Sequence, residues 1–104
     1  NQVKLIKGDN RSIGYHRSGN DLVFTNQVWE AEDKDLFYLS TDGYLDQNGG
    51  QRDYPLGREK FMKIIGDIGQ KAMVEQHDTF LEALQEYMGS ETQRDDITII
   101  GFCV

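Results

Sequence analysis

One proline, one cysteine and one tryptophan are all that 104 residues supply of three structure-defining residue types. With Cys103 alone, no intrachain disulfide can form and no thiolate cluster can hold a metal. A single cysteine near the end of an apolar strand reads as a small core residue, compatible with a reducing cytoplasm. Long apolar runs are missing as well. Nothing approaches the roughly 20 residues that cross a bilayer, and the opening Asn1-Gln2-Val3-Lys4-Leu5-Ile6-Lys7 lacks the apolar centre of a signal peptide. Direct membrane contact from this segment is therefore not expected. Basic residues are scarce, 11 against 18 acidic ones, for a net charge of −7. That balance argues against nucleic-acid or anionic-lipid binding, which needs a basic surface. It suits a carboxylate-rich cation site. An initiator methionine is also lacking, which suggests processing or excision from a longer protein.

What is present is one domain's worth of chain, 38% hydrophobic and 28% charged, without repeats or low-complexity segments. The first half reads as short strands: Val3–Lys7, Ser12–Tyr15, Leu22–Trp29 and Leu36–Leu39. Gly8-Asp9-Asn10 and Ser18-Gly19-Asn20-Asp21 supply turn chemistry between them. Gln47–Gly57 is a polar loop holding Pro55. From Arg58 the period becomes helical, with Phe61, Ile64, Ile65 and Ile68 on one stripe and Gly69 placed to stop it. A second helix spans Val74 to Met88, with Phe80, Leu81, Leu84, Tyr87 and Met88 as its apolar stripe and Gly89 as its cap. Ile97–Val104 closes the chain as a strand. The order β-β-β-β-α-α-β predicts an α+β fold, two helices packed on one face of a mainly antiparallel sheet. Strands apolar on both sides require a second layer, which this sequence does not supply.

The chemistry gathers at two places. Leu36-Phe37-Tyr38-Leu39 runs into Thr41-Asp42-Gly43, so a turn holds the Asp42 carboxylate at the rigid end of a strand. Asp46 follows three residues after Gly43 and can lean over the same spot. Arg94-Asp95-Asp96-Ile97-Thr98 places two adjacent acids at the entry to the last strand, where repulsion and desolvation both cost free energy. If the two strands are antiparallel neighbours, Asp42 and Asp95 converge at one sheet edge. A divalent cation would offset their repulsion, and hard oxygen ligands favour magnesium or manganese. The plainer alternative is a pair of solvated turns, with Asp95 or Asp96 paired to Arg94. His16 reads as a surface histidine of a hairpin and His77 as structural or solvent-facing. Arg17, Arg52, Arg58 and Arg94 are unranked candidates for phosphate contact.

In order along the chain, Leu36–Gly43, Asp46, Pro55-Leu56-Gly57-Arg58-Glu59-Lys60-Phe61 and Arg94-Asp95-Asp96-Ile97-Thr98 resemble the C-terminal half of a PPM-type metal-dependent protein phosphatase, protein phosphatase 2C-like and closest to the SpoIIE-like bacterial branch. Lys7-Gly8-Asp9 and Ser12–Tyr15 resemble the strand before that core. The resemblance covers residues 1–104 as one domain or fragment, and it implies part of an α-β-β-α sandwich. It implies that Asp42 and Asp95 coordinate metal, with the Gly43 backbone shaping the turn. Asp46 and Asp96 become accessory or third-metal residues, and Thr41 and Thr98 local hydrogen-bond partners; of the arginines, Arg17 and Arg94 are carried forward as candidate phosphate contacts. The reaction implied is hydrolysis of phosphoserine or phosphothreonine by water bridging two magnesium or manganese ions. The substrate implied is a phosphorylated regulatory protein of the anti-sigma-factor-antagonist kind, and the location is cytoplasmic, as in the cytoplasmic domain of a longer, membrane-bound sensor.

The sequence also departs from that family. Its upstream half carries an Asp-containing, Gly-rich loop that bridges both metals, and no such loop precedes Asp42. Gly8-Asp9-Asn10 stands too close to the downstream motifs to serve. The expectation is a chain without the upstream half, inactive by itself and prone to self-association through an uncovered sheet face. The competing readings are a non-catalytic partner-binding module that keeps the fold, and an unrelated α+β domain with coincidental Asp-Gly turns.

Overall fold

The apolar run Leu36–Ser40 forms β1, and the strand that completes it lies at the other end of the chain, Ile99–Cys103. A computed structural model describes residues 2–9 and 23–104. Within them the elements run β1, α1 (Gly43–Asp46), β2 (Asn48–Gly49), β3 (Tyr54–Pro55), α2 (Arg58–Ile68), α3 (Met73–Met88) and β4 (Ile99–Cys103). β1 and β4 pair antiparallel, with Leu36 opposite Cys103 and Ser40 opposite Ile99. Backbone bonds prolong the ladder at both ends, Lys34 N–H to the Val104 carbonyl at 2.8 Å and Thr41 N–H to the Thr98 carbonyl at 3.0 Å.

Alternation along β1 sends its side chains to two different environments. Tyr38 faces the helices, edge-on to Phe80 at 6.0 Å, and its hydroxyl donates to Gln76 Oε1 at 2.6 Å. Phe37 and Leu39 face the other way. Phe37 stacks on Phe102 at 5.3 Å, and Leu39 (61% exposed) stands opposite Ile100 (54% exposed). This apolar ladder has no second layer over it among the described residues.

The core lies on the helical side. Tyr44, Phe61 and Phe80 form a triangle of rings with centroids 5.4 to 5.9 Å apart, closed by Leu56, Ile68 and Leu84. These contacts explain the stripes of α2 and α3, whose apolar periodicity points at the triangle. Gly89 ends α3 with φ of +57°, a conformation open to glycine at little cost, and its N–H donates to the Gln85 carbonyl. Gly69 stops α2 differently: its φ of −57° keeps it right-handed.

The mixed α+β class agrees with the sequence, but the order of the first elements does not. Val3–Lys7 and Val23–Trp29 form no strand. The two segments are joined through side chains instead, Thr25 N–H to the Asp9 carboxylate and the Gln27 amide to the Lys7 carbonyl, with Lys4 over the Trp29 ring. Apolar alternation cannot make a strand without a partner to complete its ladder, and Val23 and Val28 remain 79% and 92% exposed. Leu22, Ser12–Tyr15 and the turn at 18–21 lie outside the described residues. The loop Gln47–Gly57 holds elements that the sequence did not suggest. β2 and β3 form a hairpin with Asn48 opposite Pro55, and Leu56 N–H donates to the Gln47 carbonyl. No helix among the described residues is long and apolar enough to cross a membrane.

Tyr44 sets a pH limit on this core. It is 1% exposed, its hydroxyl donates to the Phe80 carbonyl at 2.8 Å, and burial pushes its pKa from 10.0 up to about 12. Burial raises Tyr38 too, against the lowering effect of its Gln76 bond. Because the folded pKa lies above the unfolded one, the Tyr44 contribution is complete below pH 10 and is lost as pH rises through about 12. Urea unfolding midpoints should therefore fall over that interval. Tyr44→Phe should flatten the fall while costing about 1 kcal/mol at neutral pH through the lost hydrogen bond.

Candidate metal and phosphate site

Antiparallel pairing places the end of β1 beside the start of β4, and each of these points carries an acid-bearing turn. Thr41 joins them. Its N–H donates to the Thr98 carbonyl, and Thr98 N–H donates to Thr41 Oγ1 at 3.0 Å. The same hydroxyl is 3.3 Å from the Asp96 carbonyl and 3.5 Å from that of Thr98, either of which accepts its proton. Thr41 and Thr98 are thus hydrogen-bond partners of one another across the sheet.

Gly43 brings the turns into contact. It is buried, and a Cβ built on it would stand 2.2 Å from the Asp96 carbonyl oxygen and 3.1 Å from Ile97 Cγ1. Only a residue without a side chain permits that approach. Asp42 occupies the N-cap of α1 but makes no capping bond through its side chain, so its exposed carboxylate is uncommitted within that turn. Asp46, also exposed, lies one helical turn on, and its N–H donates to the Asp42 carbonyl at 2.9 Å. The i, i+4 spacing sets the two on the same side of α1.

The second turn is shaped by its own acids. Asp95 Oδ1 accepts from Asp96 N–H at 2.7 Å, and the Asp95 carbonyl accepts from the Gln93 amide at 2.9 Å. Both carboxylates are at the surface, while the Asp96 carbonyl turns inward to Thr41 and Gly43. The structure brings Asp42, Gly43, Asp46, Asp95 and Asp96 to one edge of the β1–β4 sheet. It does not close a cation site there: among the described residues, no three histidine, cysteine or acidic side chains are grouped to hold an ion. The donors are hard oxygens of the kind magnesium and manganese take, but they are not gathered closely enough to hold an ion by themselves.

Of the basic candidates, Arg94 lies in the acidic turn with its N–H 3.4 Å from Gln47 Oε1. Arg52 sits at the tip of the β2–β3 hairpin and Arg58 opens α2. Arg17 and His16 lie outside the described residues. His77 is on α3, exposed and paired with Asp78 at 3.2 Å. A groove of about 520 Å³ runs between α3 and β4, lined by Tyr38, Phe80, Leu84, Ile97 and Ile99. None of Asp42, Asp46, Asp95 and Asp96 lines it.

One participant had no signal in the sequence. Gln47 stood at the head of a polar loop, where glutamine ordinarily means surface. It is fully buried, and its amide reaches the residues on either side of Gln93. Only the fold, by setting α1 against the 92–96 segment, reveals this. Because the Gly43 contact is backbone against backbone, the structure cannot absorb a methyl group there. Gly43→Ala should cost about 1–3 kcal/mol in urea unfolding, the usual range for overpacking, and should part the two acidic turns.

Three comparisons bear on what this edge belongs to. The family model described as stage II sporulation protein E (SpoIIE) matches residues 1–104. No curated protein sequence matches. Among solved structures, the SiaA-PP2C domain of Pseudomonas aeruginosa is similar at 45% identity and a TM-score of 0.64, covering 64% of this chain and 27% of that one. The matched part is thus about a quarter of the solved chain. With the family model matching residues 1–104 and a fold similar to a PP2C domain, the chain belongs to the SpoIIE family and carries part of a PPM-type phosphatase domain.

Proposed function

We propose that this chain contributes one side of the catalytic centre of a magnesium- or manganese-dependent protein serine/threonine phosphatase. The observation that carries the reading is the contact of the Gly43 turn with the Asp96 backbone, fastened by Thr41. In this reading Asp42 and Asp95 are metal ligands, with the Gly43 backbone shaping the turn between them. Asp46 and Asp96 stand as accessory or third-metal acids, and Arg94 and Arg17 contact phosphate. A divalent ion bound there would lower the pKa of its water and draw the charge of phosphoryl oxygens.

The acids of the described residues do not complete an ion site, so further ligands come from outside that set. In this reading the 104 residues alone are inactive. The substrate we propose is a phosphorylated regulatory protein of the anti-sigma-factor-antagonist kind, met in the cytoplasm. The uncovered Phe37–Leu39–Ile100–Phe102 face supports self-association of the isolated chain. The incomplete acid group also favours a second reading, a non-catalytic partner-binding module.

Phosphate release separates the two. The intact protein should dephosphorylate a phosphoserine peptide only with manganese or magnesium, and Asp42→Asn should abolish that release. Equal release in excess EDTA overturns the metal-dependent reading, and no release under any metal favours the binding module. By calorimetry, residues 1–104 alone should bind manganese no tighter than the millimolar range; tight binding contradicts the proposed incompleteness.

A further inference from the structure

Gln47 is one of two buried polar side chains among the described residues, and it is fully enclosed. It directly follows α1, in extended conformation. Its Nε2 donates to the Thr92 carbonyl at 3.0 Å and to the Asn48 carbonyl at 3.0 Å, and its Oε1 accepts from Arg94 N–H at 3.4 Å. Its own carbonyl takes Leu56 N–H at 2.9 Å, which ties the same residue to the β2–β3 hairpin. A buried amide is retained at low cost only when its donors and acceptor are matched, and here they are.

The placement of these bonds is informative. The segment from Glu91 to Thr98 has no regular structure, and its residues are largely exposed. Two anchors hold it. Thr41 takes residues 96 and 98, and Gln47 takes residues 92 and 94. Asp95 stands between the anchors, just as the whole of Asp42–Asp46 stands between Thr41 and Gln47. The offset that pairs Leu36 with Cys103 also pairs Thr41 with Thr98 and, beyond α1, Gln47 with Thr92. A helix interrupts the ladder, and one side-chain amide resumes it.

From this we infer that Gln47 is a positioning residue: its carboxamide fixes the Thr92–Asp96 segment so that Asp95 stands beside the Asp42 turn. The metal part of the inference rests on the phosphatase reading; the anchoring part does not. Gln76 provides a matched comparison. It too is a buried glutamine, 3% exposed, bonded to Tyr38 and to the Lys71 carbonyl, but it belongs to α3 and touches neither acidic turn.

The test uses the intact protein with Gln47→Met, which fills similar volume without donors or acceptor, and Gln76→Met. Gln47→Glu, which keeps the acceptor and loses the donors, replaces Gln47→Met if that variant does not fold. Amide hydrogen exchange should quicken at least about tenfold over residues 92–96 in the Gln47 variant, with Phe80 and Leu84 amides unchanged. Gln76→Met should leave residues 92–96 within about twofold of the parent. Manganese affinity, read by paramagnetic resonance of the free ion, should weaken about tenfold in Gln47→Met alone, within the range known for residues that orient metal ligands. Unchanged exchange at 92–96, or equal quickening in Gln76→Met, overturns the anchoring role. Unchanged manganese affinity with quickened exchange overturns the positioning of Asp95. If the parent protein binds no manganese, the phosphatase reading falls, and the exchange comparison still decides the anchor.

Discussion

The antiparallel pairing of β1 with β4 is the constraint on which the other features depend. It joins positions 36–40 to 99–103, and everything between must leave from and return to that pair. Because the strands run in opposite directions, the exit of one and the entry of the other share an edge. A chemistry-bearing residue placed at each of those points is brought to the same edge as the other. The helices then have one task, which is to cover the inner face of the pair, and the triangle of Tyr44, Phe61 and Phe80 is how they do so.

Within that frame, small residues and side-chain amides do what longer strands would do elsewhere. Gly43 lets α1 press on the Asp96 backbone, Thr41 ties the sheet end, and Gln47 ties the far side of α1. Each hydrogen bond contributes only about 1 kcal/mol net, but an amide left buried without its partners would cost about 1–3 kcal/mol. That asymmetry makes the arrangement specific. No buried side-chain nitrogen or oxygen among the described residues lacks a partner.

Legibility followed locality. α2 and α3 were readable because their apolar stripes repeat at helical spacing, and the structure ends them within a residue of the expected bounds, at Ile68 and Met88. β1 and β4 were readable as short apolar runs. Val3–Lys7 and Val23–Trp29 are also short apolar runs but have no ladder partner among the described residues, and composition does not encode a partner. The β2–β3 hairpin was invisible for the opposite reason: its residues are Asn48, Gly49, Tyr54 and Pro55, and it is held by backbone bonds that no side-chain pattern announces. Of the acidic edge, Asp42, Asp46, Asp95 and Asp96 were legible as types in context. Gln47 was not, since a lone glutamine in a polar stretch has no periodicity to betray burial.

The Thr41–Thr98 pair closes a loop of 57 positions. Loops of that length are slow to close, because the entropy of bringing distant positions together must be lost before any contact repays it. The neighbouring helices α2 and α3 and the β2–β3 hairpin need no such closure. Loop-closure entropy therefore favours an order in which the acidic edge assembles after the local elements, on the surface that the aromatic triangle gives β1 and β4. Until that moment, the Asp42–Asp46 pair and the Asp95–Asp96 pair are far apart along the chain, and the two pairs do not repel each other. The geometry that concentrates negative charge is deferred until the packing that can bear it is in place.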